Sequence, residues 1–157
     1  MRVKPTTGAV LAVAAAATLT LVAVAAGGPV ATKQRIAIEH GTGSSFHLTP
    51  LTPGAVKPDT GTATFCCWTE RHVVRNGEAV DLDNPQMTLT GKLGTLVARN
   101  VIGYVDVPGG WAVFTGTWKL VRGTGQYAGL AGGGRGAGIS SPGGATKARF
   151  EGFLSTR

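Results

Sequence analysis

From Trp118 to Gly138 the chain reads WKLVRGTGQYAGLAGGGRGAG, an apolar and basic segment that runs into closely spaced glycines around a single tyrosine. Glycine weakens a helix interior by about 1 kcal/mol per residue relative to alanine. It also permits the positive φ values, bulges and close backbone approaches with which a strand turns a sharp corner in a small barrel. The stretch therefore constrains architecture towards β-structure and says nothing of a reaction.

The rest of the chain beyond residue 30 agrees with that constraint. Apolar and polar residues alternate with period two between turn signals, and no sustained 3.6-residue apolar period occurs. The pattern predicts an all-β fold, an antiparallel barrel, with strands over Lys33–His40, Ser44–Leu51, Gly61–Trp68, Arg71–Arg75, Glu78–Leu82, Gln86–Leu93, Thr95–Val107, Trp111–Arg122, Gly132–Ser140 and Ala145–Leu154. Asn76-Gly77 is a two-residue hairpin signal, and Pro108-Gly109-Gly110 and Pro142-Gly143-Gly144 read as slightly longer turns. Residues 51–61 carry two prolines without alternation and read as a surface loop.

Parity assigns faces. Ala112, Phe114, Gly116, Trp118 and Leu120 form an inner set, as do Ala148, Phe150, Gly152 and Leu154. In Thr95–Val107 both sets are largely apolar. An outward Arg99 places Leu96, Asn100 and Tyr104 inside, where the amide and the phenol need partners.

The N-terminus reads as a cleaved signal peptide over residues 1–26. Arg2 and Lys4 form a basic head, an uncharged run extends from Gly8 to Ala26, and small residues precede Gly27-Gly28-Pro29. An uncleaved membrane anchor is the rival, since the run is close to the ~20 residues that span a bilayer; its alanine-rich composition and cleavage residues favour removal and an extracellular product. Residues 27–157 are then one domain, large enough for one core. With Arg2 and Lys4 set aside, the formal charge of +7 falls to +5. The basic residues are scattered singly, which argues against a nucleic-acid partner.

Gly123-Thr-Gly-Gln-Tyr-Ala-Gly-Leu-Ala-Gly-Gly-Gly, the preceding Gly-Thr-Trp strand and the final Phe150-Glu-Gly-Phe strand together resemble the allene oxide cyclase and dirigent-like barrels, in particular their small secreted bacterial members. The similarity is strongest over residues 111–154. It implies a barrel of about eight antiparallel strands with a central pocket, in which apolar substrates are steered mostly by shape. It supplies no alignable catalytic motif, so an activity carried over from it would be analogy at the level of fold.

Gly123-x-Gly125-x-x-Ala128 imitates a dinucleotide fingerprint. That motif requires a helix immediately afterwards, and more than half of Leu130–Gly138 is glycine, so a nucleotide cofactor is not expected. Cys66-Cys67, the only cysteines, precede Trp68. Export favours pairing, while Cα atoms ~3.8 Å apart across a trans peptide lie below the usual disulfide range of ~4.4–6.8 Å. A vicinal disulfide, two thiols on opposite faces and an intermolecular bridge all remain open.

No nucleophile elbow or metal-ligand spacing occurs, and His40, His47 and His72 are scattered, so neither a metal nor a cofactor is expected. Glu70, Arg71 and His72 follow Trp68 as a polar triplet that is either a charged edge or a source of one acid–base group at the barrel mouth. The expected role is a secreted barrel that binds a small apolar or aromatic molecule through some of Leu96, Tyr104, Phe114, Trp118 and Phe150. Two alternatives stand beside it: a cofactor-free cyclase or isomerase using Glu70, Asn100 or Tyr104, and an envelope or interaction scaffold with a filled core.

Overall fold

A computed structural model describes residues 32–75 and 77–156. The basic head, the apolar run, the cleavage site near Ala26 or Gly27, and Asn76 of the hairpin signal lie outside the described residues. Ten strands follow in chain order: β1 (Gln34–His40), β2 (Ser45–Pro50), β3 (Asp59–Cys66), β4 (Glu70–Arg75), β5 (Glu78–Asp83), β6 (Gln86–Gly91), β7 (Thr95–Val107), β8 (Trp111–Gly123), β9 (Leu130–Ser140) and β10 (Thr146–Thr156). A single 3-10 turn, Gly125–Tyr127, joins β8 to β9. Among the described residues no helix is long and apolar enough to cross a membrane.

All pairings are antiparallel. Eight strands close a barrel in the order β7-β6-β3-β2-β1-β10-β9-β8, with β8 pairing back onto β7. The remaining two form a hairpin outside that circuit. β6 pairs with the lower part of β7, Thr95–Arg99, and β5 pairs higher on the same edge, with Ile102, Gly103 and Tyr104. β4 pairs with β5 and leaves its far edge free. The β4–β5 hairpin is thus a flap that extends the sheet above the point where β3 and β6 stop.

The interior follows the parity of the sequence. Ile36, Ile38, Leu48, Leu89, Leu96, Phe114, Trp118, Leu120, Phe150 and Leu154 are buried, and Leu96, Ala98, Asn100 and Ile102 place the inner face of β7 as expected. A bulge disturbs β7–β8: Val97 opposes Arg122 while Ala98 opposes Leu120, which leaves Val121 as the extra residue and keeps Leu120 inside.

The glycines of β9 act within a strand. A Cβ at Gly136 would strike the Phe150 ring and one at Gly138 the Phe114 ring, because the aromatic side chains of the flanking strands lie over a bare inner face. The sharp corner is earlier, around the 3-10 turn, where Gly125 and Gly129 have φ of 57° and 69°.

The two ends of the barrel differ. At the lower end the loop 51–58 folds across the opening, and buried Gln34 holds it: its Nε2 donates to the carbonyls of Val56 (2.9 Å) and Thr52 (3.1 Å), and its Oε1 accepts from Val56 N–H (2.8 Å). Asp59, also buried, accepts from Tyr127 Oη (2.9 Å) and from the backbone N–H of Lys92 (2.9 Å) and Leu93 (3.3 Å). A buried carboxylate is tolerated when hydrogen bonds replace its water. This end is plugged, so any opening of the barrel interior to solvent lies at the other.

Candidate functional site

The upper end opens into a cavity of about 130 Å³ lined by His40, Phe65, Trp68, Ile102, Tyr104, Phe114, Ser140, Thr146, Ala148 and Phe150. Alternation builds the wall: Phe65 shares the parity of buried Ala63 on β3, Tyr104 that of Ile102 on β7, and Phe114 and Phe150 that of Trp118 and Leu154. The rings meet edge-on or tilted. His40 and Phe65 are 5.4 Å apart between centroids, Phe65 and Trp68 6.4 Å, and Tyr104 and Phe114 5.4 Å.

Trp68 reaches the cavity because of the cysteines. Cys66 ends β3, and Cys66 and Cys67 are joined as a vicinal disulfide with Cα atoms 3.8 Å apart. Cys67 has φ of 60°, the sole positive φ among described residues other than glycine. A residue other than glycine is uncommon in this left-handed region, and here it kinks the chain between β3 and β4, which run in the same direction. Trp68, 52 % exposed, follows this kink and lies tilted against Phe65 as a half-open cover.

The flap supplies the rim. Cross-strand partners project from the same side of a sheet, so the register His72–Asp81–Tyr104–Phe114 continues the inner wall onto β5 and β4. The next rung down runs Glu70–Asp83–Ile102–Gly116. Glu70, His72, Asp81 and Asp83 therefore share the mouth-facing side of the hairpin, while Val80 and Leu82 face outward into a broad open groove with Val101 and Val105. His72 Nδ1 lies 2.5 Å from Asp81 Oδ1. Ligand atoms of Glu70, His72 and Asp81 lie within 4.8 Å of one another, close enough to share a cation, in an exposed setting.

Burial and neighbouring carboxylates together shift the groups of this wall. Burial pushes the Tyr104 phenol above its ordinary range, and the charge of Asp83 adds to the shift. Burial likewise raises the Asp83 carboxyl, reinforced by Glu70 and Asp81. The His72 imidazole is raised by its hydrogen bond to Asp81 and then by the charges of Asp81 and Glu70. Among the residues whose side chains are described, no lysine or arginine is within ion-pair distance of these carboxylates.

Of the residues expected to touch a ligand, Tyr104, Phe114 and Phe150 come together at this cavity. Leu96 and Trp118 lie lower in the packed core. Trp118 is 3 % exposed, and its Nε1 donates to the Glu151 carbonyl at 3.3 Å. Asn100 is fully buried below Ile102; its Nδ2 donates to the Pro85 carbonyl at 3.4 Å, and its Oδ1 has no protein partner among the described residues. Glu70 stands on the rim. The sequence reading passed over Phe65, Asp81 and Asp83, although Ala79-Val-Asp-Leu-Asp83 alternates in a way that puts both acids on one face.

No family model matches the chain, and neither a curated protein nor a solved structure matches it.

Proposed function

We propose that this is an exported binding protein that holds a small apolar or aromatic molecule in the mouth of its barrel. The observation that carries the reading is the cavity walled by Phe65, Trp68, Tyr104, Phe114 and Phe150 above an otherwise packed core. Its volume of about 130 Å³ is near that of an engineered apolar protein cavity of ~150 Å³ that admits benzene. A single ring, or the end of a longer apolar molecule projecting past Trp68, matches it. Kinship with the allene oxide cyclase and dirigent-like barrels is part of the same proposal and assigns no residue a role.

The test uses toluene and benzyl alcohol as probes with amide chemical-shift mapping. Saturable shifts centred on Phe65, Trp68, Tyr104 and Ala148 are expected. Ala148→Leu, which fills the cavity, and Trp68→Ala, which removes its half-exposed cover, should each weaken binding about tenfold or more while leaving the circular dichroism spectrum in place. Absence of saturation with both probes, or binding indifferent to both substitutions, would remove the reading.

The cyclase or isomerase reading is favoured by one observation, a raised carboxyl on Asp83 beside the raised phenol of Tyr104 at the wall of an apolar cavity. Such a pair could move a proton on a confined substrate. Turnover of a bound apolar compound that Asp83→Asn abolishes without loss of binding would establish it in place of simple binding.

A further inference from the structure

We infer that the mouth site selects a cation: an ammonium group carried on an aromatic or apolar skeleton that fits the cavity. The inference rests on the binding reading above and names the charge class of its ligand. Two features of the mouth meet at Tyr104. Towards the barrel interior lie Phe114, Phe150 and Ile102, which accept only an apolar group. Beside it, on the same face of the same sheet, lie Asp81, directly opposite Tyr104, and, one rung down, Asp83, directly opposite Ile102, with Glu70 one strand further out. The chain has eight acidic residues and a formal charge of +7. Three of those acids nonetheless crowd onto one side of one hairpin, and Asp83 sits within the mutual repulsion of the other two.

His72 on the same face hydrogen-bonds Asp81 and answers one of these carboxylates, and packing gives no reason for the other two. The outward side of the hairpin, with Val80 and Leu82, is the apolar one, and like charges on neighbouring positions of a sheet oppose its formation. The arrangement becomes more favourable when a cation besides His72 stands among the carboxylates. The aromatic faces supply the remainder of such a site, since Trp68, Tyr104 and Phe65 offer ring quadrupoles at the entrance, and indole and phenol rings attract ammonium groups within about 6 Å of their centroids. An arylalkyl ammonium satisfies both halves together, with the ring towards the barrel interior and the charge between the tryptophan and the carboxylates. A carboxylate ligand of the same shape would meet the same field as repulsion.

The experiment compares three probes of one shape, benzylammonium, benzyl alcohol and benzoate, by calorimetry at pH 7 and low salt with a chelator present. Benzylammonium should bind about tenfold or more tightly than benzyl alcohol, and benzoate should not saturate. Asp81→Asn combined with Asp83→Asn should bring benzylammonium down to the affinity of benzyl alcohol and leave benzyl alcohol unchanged, which also reports that the barrel is intact. Equal affinity for benzylammonium and benzyl alcohol, or a preference for benzoate, would overturn the inference and leave the binding reading standing. Failure of all three probes to saturate would instead overturn the binding reading, and the inference with it.

Discussion

Tyr127 and Asp59 decide how the lower end of the barrel is held. The phenol is buried under the 3-10 turn and donates to a carboxylate that already accepts backbone N–H groups of Lys92 and Leu93. Tyr127→Phe removes one charge-assisted hydrogen bond while keeping the ring, so unfolding free energy from denaturant titration should fall by about 1–3 kcal/mol. The same contact sets a pH limit. Burial, chiefly, raises the Tyr127 phenol far above its ordinary value, and the hydrogen bond to Asp59 raises it further. A group whose folded value is raised contributes fully below its unfolded value, about 10 for tyrosine, and that contribution is lost as pH climbs from there towards the folded value. Stability should therefore decline above about pH 10. The slope should flatten in Tyr127→Phe and flatten further when Tyr104, the other raised phenol, is also Phe. An unchanged alkaline slope in the double variant would show that other groups govern it.

At the scale of the element, β9 shows how a strand rich in glycine can be a structural necessity. Its inner face is bare because Phe114 and Phe150, on the strands to either side, lie across it. Gly136→Ala should destabilise by about 1–3 kcal/mol through overpacking, and Phe150→Leu in the same chain should recover part of that loss, a coupling that a thermodynamic cycle measures. Additive losses would mean that the ring and the glycine do not compete for the same space. The locations of the ten strands, and the inner faces of β7, β8 and β10, were legible in the sequence because period two survives wherever one face is enclosed. The purpose of the β9 glycines was less so: alternation identifies a face without naming its opposite number, and the Phe150–Gly136 seat exists only through a pairing between separate strands. Trp68 and Trp118 were harder still. Both read as aromatic residues in apolar strands, and what separates the exposed cover from the core plug is the positive φ of Cys67, a member of a vicinal disulfide that spacing alone left open. Asp59, placed after a proline in an irregular stretch, reads locally as a turn residue; its burial depends on Tyr127, far away in the chain.

The described residues divide into a closed barrel and an attached flap, and the proposed binding assigns stability to one and recognition to the other. Closure does not pass through β4 or β5. β3 pairs directly with β6, Cys66 opposite Gln86, and β6 with β7. The flap joins the sheet through Asp81, Leu82 and Asp83 alone, and one of its edges is free. Since Cys66 and Gln86 are already opposite one another, a short turn can bridge them. Replacing residues 67–84 with Asn-Gly, with Cys66→Ser to avoid a free thiol, retains Pro85 and hence the carbonyl that accepts from the backbone N–H of Asn100 at 3.0 Å and from its side chain. Asn-Gly is suited to a tight connection between antiparallel strands. The shortened chain should keep a cooperative unfolding transition and the β-sheet circular dichroism of the parent, because the buried ring of side chains from β1–β3 and β6–β10 is untouched. It should lose the preference for benzylammonium over benzyl alcohol, since Glu70, Asp81 and Asp83 leave with the hairpin, and bind both more weakly for want of Trp68. A shortened chain that fails to fold would place the hairpin inside the cooperative core, and one that folds with its cation preference intact would move the source of that preference elsewhere on the barrel.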